Sequence, residues 1–532
     1  MPAILAKAEK EGVDTKKKHL QKDIQKTIEV AAKTLAPGEF TKVKVADQQV
    51  KLFVQKTSEG KLDIYIKEKK LGAGAFGKVF LAVRPSGEKV SLKLALMKAD
   101  MTDFEKEDLA KALQTEVETL ELLNADGEQE GVQELVKMSE YKKDGVENQK
   151  VLTGKVYSNG DFANQKAALG LQRLFGDEKI KPHVRLRNVN LKMKELEEFF
   201  TQKMVEKSNV SMDKALSKEE KQVRITEIHQ EIDKELTFLI NISKDLVSKE
   251  KHKELEGEFM SFIHGLEHRS DFNPYAEFTK VSTLLHNNLS AAVKKEVKIP
   301  DMKKRMFFAG NLVNGLNYLS SKGIVHGDIK PQNFFWNDEK AVIADFGSAQ
   351  RINGSHPVIA TTIGYMPTEY INAMNFYAGK AKEYRNKAEV ARNDGNEAEA
   401  KKFEKEAQKQ EENWKRAGTA GDIRSTGISN YQLLTGGPIP KDDKNATEEE
   451  RKAFFDPNTY ANMRDEMKAG GIDPDAAEIM AKMSIPFKME VDSTGALKFP
   501  EIFPLPVTDK EREDLAKFLK NPVTKPRKKA SA

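Results

Sequence analysis

The sequence predicts an α+β fold in which a small antiparallel β region precedes a large helical region with all-α insertions. Between residues 40 and 98, apolar and polar residues alternate, as at Leu52 and Val54, which is the period of short strands. In residues 163–300 the apolar residues recur every three or four positions, as at Ile228 and Ile232, which is the period of helices. The change of period marks a boundary between two kinds of structure.

Composition excludes several classes of function. The 532 residues include 88 Lys and Arg against 83 Asp and Glu, a net charge of only +5, which argues against a dedicated nucleic-acid-binding protein. Cysteine is absent, which excludes disulfides, thiolate metal sites and cysteine nucleophiles. No apolar run reaches the length of about 18 residues that a membrane span needs. We therefore expect a soluble, cytoplasmic protein with no membrane span and no nucleic-acid partner.

A glycine-rich segment lies inside the predicted strands. Gly72, Gly74 and Gly77 are followed by Val79 in a Gly-x-Gly-x-x-Gly-x-Val pattern, which we call the glycine-rich flap. Such glycines either open a helix in a dinucleotide-binding fold or form a hairpin over nucleotide phosphates. Residues 79–83 have the pattern of another strand, which favours the hairpin, although a plain glycine-rich hairpin without a ligand remains an alternative.

Two charged residues follow the glycine-rich flap. Lys93 ends an alternating strand, where it is placed to reach phosphate oxygens or is simply an exposed charge. A helix is predicted over 103–124, and its Glu116 and Glu118 are both candidates to pair with Lys93. We favour Glu116, because Leu120 lies one turn further along the same apolar face.

The strongest signal comes after a helix predicted over 301–322. It reads His-Gly-Asp-Ile-Lys-Pro-Gln-Asn from His326, with Asp328, Lys330 and Asn333 as its polar members. An Asp-Phe-Gly triplet follows at Asp345. Each motif alone is only moderately specific, but their order along the chain is difficult to produce by chance.

In this order, the motifs resemble those of the eukaryotic-type protein kinases, including an altered Ala-Pro-Glu at 367–369 and a further match at 421–427. The resemblance implies a bilobal protein-kinase fold with large all-α insertions, and it implies ATP with Mg²⁺, or Mn²⁺, as cofactors. Asp328 and Lys330 are spaced as in the serine/threonine branch, so the implied acceptors are Ser and Thr hydroxyls of protein substrates.

The resemblance also assigns roles to the nucleotide-binding residues. The glycine-rich flap brings backbone N–H groups to the phosphates of ATP. Lys93 neutralises phosphate charge and is held by Glu116. Asp345 holds one Mg²⁺, and Asn333 holds the second.

The remaining roles concern the phosphate acceptor. Asp328 accepts or orients the proton of the substrate hydroxyl, and Lys330 supports the γ-phosphate during transfer. Thr362 belongs to the substrate-docking segment and is expected to hydrogen-bond Asp328 and Lys330. His326 is expected to be structural, in an apolar stack, and not a base.

One departure from the family pattern concerns regulation. Gly327 occupies the position of the arginine that normally pairs with a phosphate on the activation loop. We therefore expect activity that does not depend on activation-loop phosphorylation, although Ser348, Ser355 and Thr361 are available in that loop.

The insertions define the expected organisation of the chain. The segments are 1–60, an N-terminal helix and extra strands; 61–162, the kinase N-lobe through the hinge; 163–300, a helical insertion; 301–371, the catalytic and activation loops; 372–418, a helical hairpin insertion; 419–527, the rest of the C-lobe; and 528–532, a basic tail. The two insertions are expected to bind a protein activator or docking partner, or to act as spacers. The architecture is similar to that of kinase effectors that bacteria deliver into host cells.

Three other functions stay open from the sequence. The chain could be a pseudokinase scaffold that acts through its insertions. It could be a kinase-fold enzyme with a non-protein substrate, or with nucleotidyl or glutamyl chemistry. A purely structural helical adaptor would explain the insertions but not the motifs.

Overall fold

The structure is a computed structural model, and it describes the chain apart from residues 17–18, 47–48, 58, 75–76, 95–101, 144–145, 156, 158–161, 177–179, 270–271, 296, 298, 352–361, 363, 440–447, 492, 495 and 522–532. Ser355, Thr361 and the basic tail 528–532 therefore lie outside the described residues. The α+β class predicted from the sequence is confirmed. Among the described residues, no helix has both the length and the apolar character needed to cross a membrane.

The β region is a closed barrel. Its strands are β1 (Glu39–Val45), β2 (Val50–Lys56), β3 (Leu62–Gly74), β4 (Gly77–Val83), β5 (Lys89–Leu94), β6 (Leu135–Lys143) and β7 (Val146–Lys155). The order is β1-β2-β3-β4-β5-β7-β6, with antiparallel neighbours along it. A short parallel pairing of Glu39 and Phe40 with Glu140 and Tyr141 closes the barrel. The sequence predicted the antiparallel strands but not this closure.

Two N-terminal helices cover one face of these strands. They are α1 (Pro2–Lys10) and α2 (Leu20–Lys33). Their buried residues, such as Ile4 and Ile24, share a core with Leu52 and Val54 of β2. The intervening Phe53 belongs instead to an aromatic cluster on the opposite face. This division follows from the alternation of side chains along a strand.

Helix α3 (Asp103–Asn124) connects β5 to β6 and confirms the predicted span. Its Val117, Leu120 and Leu123 are buried, which is the apolar face that the sequence indicated. Glu116 is also buried, whereas Glu118 is exposed.

A helical unit follows the barrel. Its helices are α4 (Ala163–Phe175), α5 (Pro182–Met212), α6 (Lys218–Ser243), α7 (Lys249–His268) and α8 (Pro274–Ala292). They bury a core of their own, including Phe200, Leu236 and Phe278. Ser217 and Glu220 form a capping box that begins α6, which satisfies backbone N–H groups that a helix start leaves unpaired.

The rest of the chain is helical, with short strand pairs at the predicted motifs. Its elements are α9 (Met302–Ser321), β8 (Ile324–Val325), β9 (Phe334–Trp336), β10 (Ala341–Ile343), β11 (Gln350–Arg351), α10 (Thr368–Asn393), α11 (Glu397–Thr435), α12 (Glu448–Phe455), α13 (Pro457–Ala469), α14 (Pro474–Ser484), β12 (Glu490–Val491), β13 (Leu497–Lys498) and α15 (Asp509–Lys520). The antiparallel pairs are β8 with β11, β9 with β10, and β12 with β13.

The compact units differ from the predicted segments. One unit comprises 1–160, 310–425 and 489–516, and the other comprises 161–309 and 426–488 with the segment from 517 onward. The structure thus groups the predicted helical insertion with residues 426–488. From the sequence, those residues are expected to belong to the rest of the C-lobe, 419–527. The unit boundaries fall inside α9 and α11.

Helix α11 also departs from the predicted boundary at residue 418. It runs without a break from the hairpin arm (residues 372–418) into the segment that follows residue 418. Gly418 and Gly421 lie within this helix and allow close packing: an added Cβ would lie 2.5 Å from Val325 Cγ2 and 2.6 Å from Met366 Cε, respectively. Small residues at such crossings permit an approach that larger side chains would block.

A close approach between the backbones of Gly131 and Gly315 holds the segment between α3 and β6 in place. A Cβ added to Gly315, in α9, would lie 2.3 Å from the carbonyl oxygen of Gly131. That oxygen accepts a hydrogen bond from Ile343 N–H at 2.8 Å, at the end of β10. Glu130 accepts hydrogen bonds from the amides of Asn311 and Asn314. The end of α3 is therefore attached to both α9 and the strand that leads to Asp345.

We predict that Gly315→Ala lowers the free energy of unfolding by about 1–3 kcal/mol, since the added methyl group meets backbone atoms that cannot move independently. Gly379→Ala is the matched control, because Gly379 is also inside a helix and an added Cβ there meets nothing within 4 Å. The control should gain roughly 0.5–1 kcal/mol from helix propensity. Urea unfolding checks both values, and equal effects of the two substitutions would contradict the close approach.

The helical unit contains a buried histidine. Burial, with a smaller contribution from Lys207, lowers the pKa of His229 on α6 to about 4. Within the described residues, its Nε2 is buried without a hydrogen-bond partner. The neutral ring is therefore the form that fits the core.

We predict an acid-dependent loss of stability at this position. Because the folded pKa of His229 lies below its ordinary value of 6.5, the unfolded chain binds more protons between those two pH values. The stabilising contribution is present above about pH 6.5 and is lost as the pH falls toward about 4. Urea midpoints measured at about pH 7 and about pH 5 should differ more for the wild type than for His229→Leu. Equal pH dependence in both proteins would refute this role.

Candidate active site

Lys93 lies at the centre of a buried ion cluster. It is on β5, where Leu92 and Leu94 are buried in the barrel. Its Nζ lies 2.8 and 2.7 Å from the two carboxylate oxygens of Glu116 and 2.8 Å from Oδ1 of Asp345. Of the two glutamates proposed from the sequence, the structure brings Glu116 and not Glu118 to the lysine.

The three charges depend on one another. The side chains of Lys93 and Glu116 are only 18% and 3% exposed. Burial by itself disfavours the ammonium group, but the carboxylates of Glu116 and Asp345 outweigh this effect and raise the pKa of Lys93. Burial likewise opposes ionisation of Asp345, but Lys93 lowers the pKa of that carboxyl. Lys93 and Asp345 are therefore held in their charged forms. The pKa of Glu116, by contrast, is raised, because burial outweighs the opposing effect of Lys93.

The backbone at Asp345 is in an unusual conformation. Its φ of 66° lies in the left-handed region, which a residue with a Cβ seldom adopts. The next residue, Phe346, is buried, and its ring centroid lies 5.0 Å from that of His326. His326 Nε2 lies 3.1 Å from the carbonyl oxygen of Ala344. This local structure directs the carboxylate of Asp345 toward Lys93.

Burial lowers the pKa of His326. The neutral ring is packed against Phe346 and hydrogen-bonded to backbone, so it is not placed to act as a base.

Asp328 is surrounded by three polar side chains, of which Thr362 is the partner that the sequence predicted for it. Asn333 Nδ2 donates to the carbonyl oxygen of Asp328 at 2.8 Å and to its Oδ2 at 3.2 Å. The hydroxyl of Thr362 donates to Asp328 Oδ1 at 2.7 Å. Lys330 Nζ donates to Thr362 Oγ1 at 2.9 Å and lies 2.7 Å from Asp328 Oδ2. The carboxylate is thus held in one orientation by three side chains.

The loop that carries Asp328 is attached to helix α11. The N–H groups of His326 and Gly327 donate to the carboxylate of Asp422 at 2.6 and 3.0 Å. Burial raises the pKa of Asp422 to about 7, against the effect of these two donors. The sequence did not predict this contact, because it joins segments 96 residues apart.

The glycine-rich flap belongs to two paired antiparallel strands. Gly72 pairs with Val79 and Gly74 pairs with Gly77 across β3 and β4. Val79 pairs in turn with Lys93 on β5. A strand, and not a helix, follows the glycines, so the hairpin alternative fits and the dinucleotide-fold alternative does not.

Two oxygen ligands suit a divalent cation. The Asn333 amide donates through Nδ2 to Asp328, which leaves its Oδ1 as a ligand, and Asp345 contributes a carboxylate. Hard oxygen ligands of this kind fit Mg²⁺ or Mn²⁺. In the described part of the chain, no group of three or more His, Cys, Asp or Glu residues could hold a metal. His264 and His268, whose rings are 4.9 Å apart, are thus only a pair.

Comparison with known proteins gives matches in the same region. The family model for the Protein kinase domain matches residues 189–390. This span includes Asp328, Asn333 and Asp345, and it begins after the glycine-rich flap and Lys93.

Individual relatives match over shorter stretches. The Serine/threonine-protein kinase PDK1 of Cryptococcus neoformans var. grubii is 29% identical over 91 residues, which are 17% of this chain and 7% of that protein. The Wee1-like protein kinase of Arabidopsis thaliana is 32% identical over 89 residues, 17% of this chain and 18% of the relative. Mitogen-activated protein kinase kinase 10 of the same plant is 42% identical over 65 residues, which are 12% of this chain and 21% of that protein.

The chain spans less than a quarter of the length of each of these relatives. The similarity is thus confined to part of the chain, and the part that the family model matches includes the motifs around Asp328 and Asp345. The motif order and the side-chain geometry thus agree with the match of residues 189–390 to the Protein kinase domain family model.

Proposed function

We propose that this chain is a serine/threonine protein kinase that transfers the γ-phosphate of ATP to hydroxyl groups of protein substrates. The observation that carries the proposal is the ion cluster of Lys93, Glu116 and Asp345, in which Glu116 is buried and the other two side chains are 18% and 36% exposed. Even partial burial of charges is costly unless they are paired. A chain that served only as a scaffold would have no need of this arrangement beside an oriented Asp328.

Binding of the nucleotide is assigned to the barrel. The backbone N–H groups of Gly72, Gly74 and Gly77 approach the phosphates, because a side chain at these positions would obstruct them. Val79 lines the nucleotide site from the neighbouring strand. Lys93 neutralises negative charge on the phosphate oxygens, and Glu116 keeps it oriented for that contact.

Transfer of the phosphate is assigned to the loop beside α11. The carboxylate of Asp328 accepts the proton of the substrate hydroxyl while the hydroxyl oxygen attacks the γ-phosphorus. The bond from that phosphorus to the bridging oxygen breaks, and ADP departs with its electron pair. Lys330 supports the transferring group. Asp345 and Asn333 would hold a divalent cation, Mg²⁺ or Mn²⁺, whose chemistry is to neutralise phosphate charge.

Preference for Ser and Thr is supported by Thr362. Its hydroxyl links Asp328 with Lys330, at 2.7 and 2.9 Å. This bridge holds the acceptor-docking segment close to the base, and it matches the arrangement that the family resemblance implies for the serine/threonine branch.

Independence from activation-loop phosphorylation is supported by Gly327. This position has no cation that could pair with a loop phosphate. Its φ is 80°, and an added Cβ would lie 3.3 Å from the carbonyl oxygen of Ser348. The glycine therefore permits a close backbone approach between the two loops.

A role for residues 163–300 and 372–418 in binding an activator or docking partner stays a prediction, as does delivery into a host cell. The hairpin arm is held by charged pairs, including Arg392 with Glu404 and Arg385 with Glu411. These surfaces are compatible with a polar partner or with solvent alone.

We predict that purified protein incubated with γ-labelled ATP and Mg²⁺ becomes labelled on Ser or Thr, and that Asp328→Asn abolishes the label. The substitution removes the proton acceptor but keeps the shape of the side chain. Mass spectrometry identifies the labelled residues, and thermal unfolding establishes that the variant is folded. Phosphatase-treated protein should transfer phosphate at the same initial rate as untreated protein.

Other outcomes would distinguish the alternatives. Label on Tyr would contradict the proposed specificity. Loss of activity after phosphatase treatment would contradict independence from the activation loop. Nucleotide binding without transfer to itself or to a generic protein substrate would favour the scaffold, and transfer of AMP would favour nucleotidyl chemistry.

We predict that Glu116→Gln lowers kcat about 100-fold, because Lys93 loses the charge that positions it and small displacements at an active site are this costly. Glu121→Gln is the matched control, since Glu121 is an exposed glutamate on the same helix. The control should keep the wild-type kcat. Steady-state kinetics with a generic protein substrate provide the measurement, and equal rates for both variants would be inconsistent with the assigned role.

A further inference from the structure

We infer that Arg351 is a positioning residue that ties the start of the activation segment to helix α3 and thereby keeps Glu116 at Lys93. This inference rests on the proposed function for its kinetic consequences, but not for the contact itself. Arg351 belongs to none of the motifs that the sequence analysis used.

The contact is a charge-assisted hydrogen bond. Arg351 Nη2 donates to the backbone carbonyl oxygen of Glu118 at 2.6 Å. Glu118 is two residues after Glu116 on α3, and Arg351 is six residues after Asp345. Hydrogen bonds from a guanidinium group are shorter and stronger than neutral ones.

The side chain of Glu118 is not part of this contact. It accepts a hydrogen bond from Gln114 Nε2 at 2.6 Å. Arg351 therefore recognises the helix backbone and not a particular side chain on it.

The backbone of Arg351 is itself fixed. It pairs with Ile324, and Gln350 pairs with Val325, in the short ladder of β11 and β8. Strand β8 leads directly to His326 and Asp328. The guanidinium group thus connects α3 to the strand that precedes the loop of Asp328.

Two attachments hold α3 better than one. Lys93 joins Glu116 to Asp345, and Arg351 joins the next part of the same helix to the same segment. Rotation of the helix about Glu116 would break at least one of these two charged contacts, in addition to disturbing its buried apolar face.

This tether needs no phosphate. Gly327 provides no cation for the activation segment, whereas Arg351 supplies a cation from within the segment and directs it to α3. In this chain, Arg351 therefore stabilises the activation segment. In the family, a loop phosphate does this by pairing with the arginine that Gly327 replaces.

Kinetics of three variants test the inference. Arg351→Ala should lower kcat about 5-fold or more, the factor that corresponds to roughly 1 kcal/mol, with KM for ATP unchanged. Arg351→Lys should recover part of the loss, because an ammonium group also donates to a carbonyl oxygen. Arg224→Ala, which removes an exposed arginine on α6, should match the wild type.

Hydrogen–deuterium exchange tests the contact without relying on catalysis. Peptides from 112–124 should exchange about 5-fold faster in Arg351→Ala, with partial recovery in Arg351→Lys and no change in α6. Unchanged exchange in α3 would overturn the inference, whether or not the wild type transfers phosphate. Faster exchange in α3 of Arg351→Ala, together with an inactive wild type, would support the tether. That result would count against the proposed function but not against the contact.

Discussion

The ion cluster of Lys93, Glu116 and Asp345 is the constraint on which the rest of this structure depends. Removing an ion from water costs several kcal/mol, so the buried Glu116 and the partly buried Lys93 need partners of opposite charge. They lie on a helix and a strand 23 residues apart, whereas Asp345 lies in a loop 252 residues after Lys93. The cluster therefore exists only when the barrel, α3 and the segment after β10 are correctly placed together.

Several backbone contacts support that placement. The Gly131–Gly315 crossing attaches the end of α3 to α9, and the same Gly131 carbonyl accepts a hydrogen bond at the end of β10. Asp422 holds the loop of Asp328 by two N–H groups. Arg351 donates to a carbonyl of α3. Because these contacts use backbone groups, they position the site without contributing a reactive side chain to it.

The two segments predicted as insertions contribute no residue to these contacts. Helices α4–α8 bury their own apolar core, including Phe200 and Phe278, whose stacked rings are 3.9 Å apart. The hairpin arm is continuous with the buried part of α11. The arm therefore extends a helix that also packs in the core. Large additions are tolerated when they satisfy their own hydrophobic surface and enter at loops or helix ends.

The sequence by itself predicted the α+β class and the span of α3, and it favoured Glu116 over Glu118 and the hairpin form of the glycine-rich flap. Each of these follows from a local period or from motif order, which nearby residues encode. Only the tertiary structure decided the closure of the barrel through Phe40 and Tyr141, the unbroken course of α11 and the contacts of Asp422 and Arg351. These features join residues distant in sequence through backbone atoms. The periodicity of apolar residues does not indicate which backbone carbonyl or N–H group a side chain from a distant segment contacts.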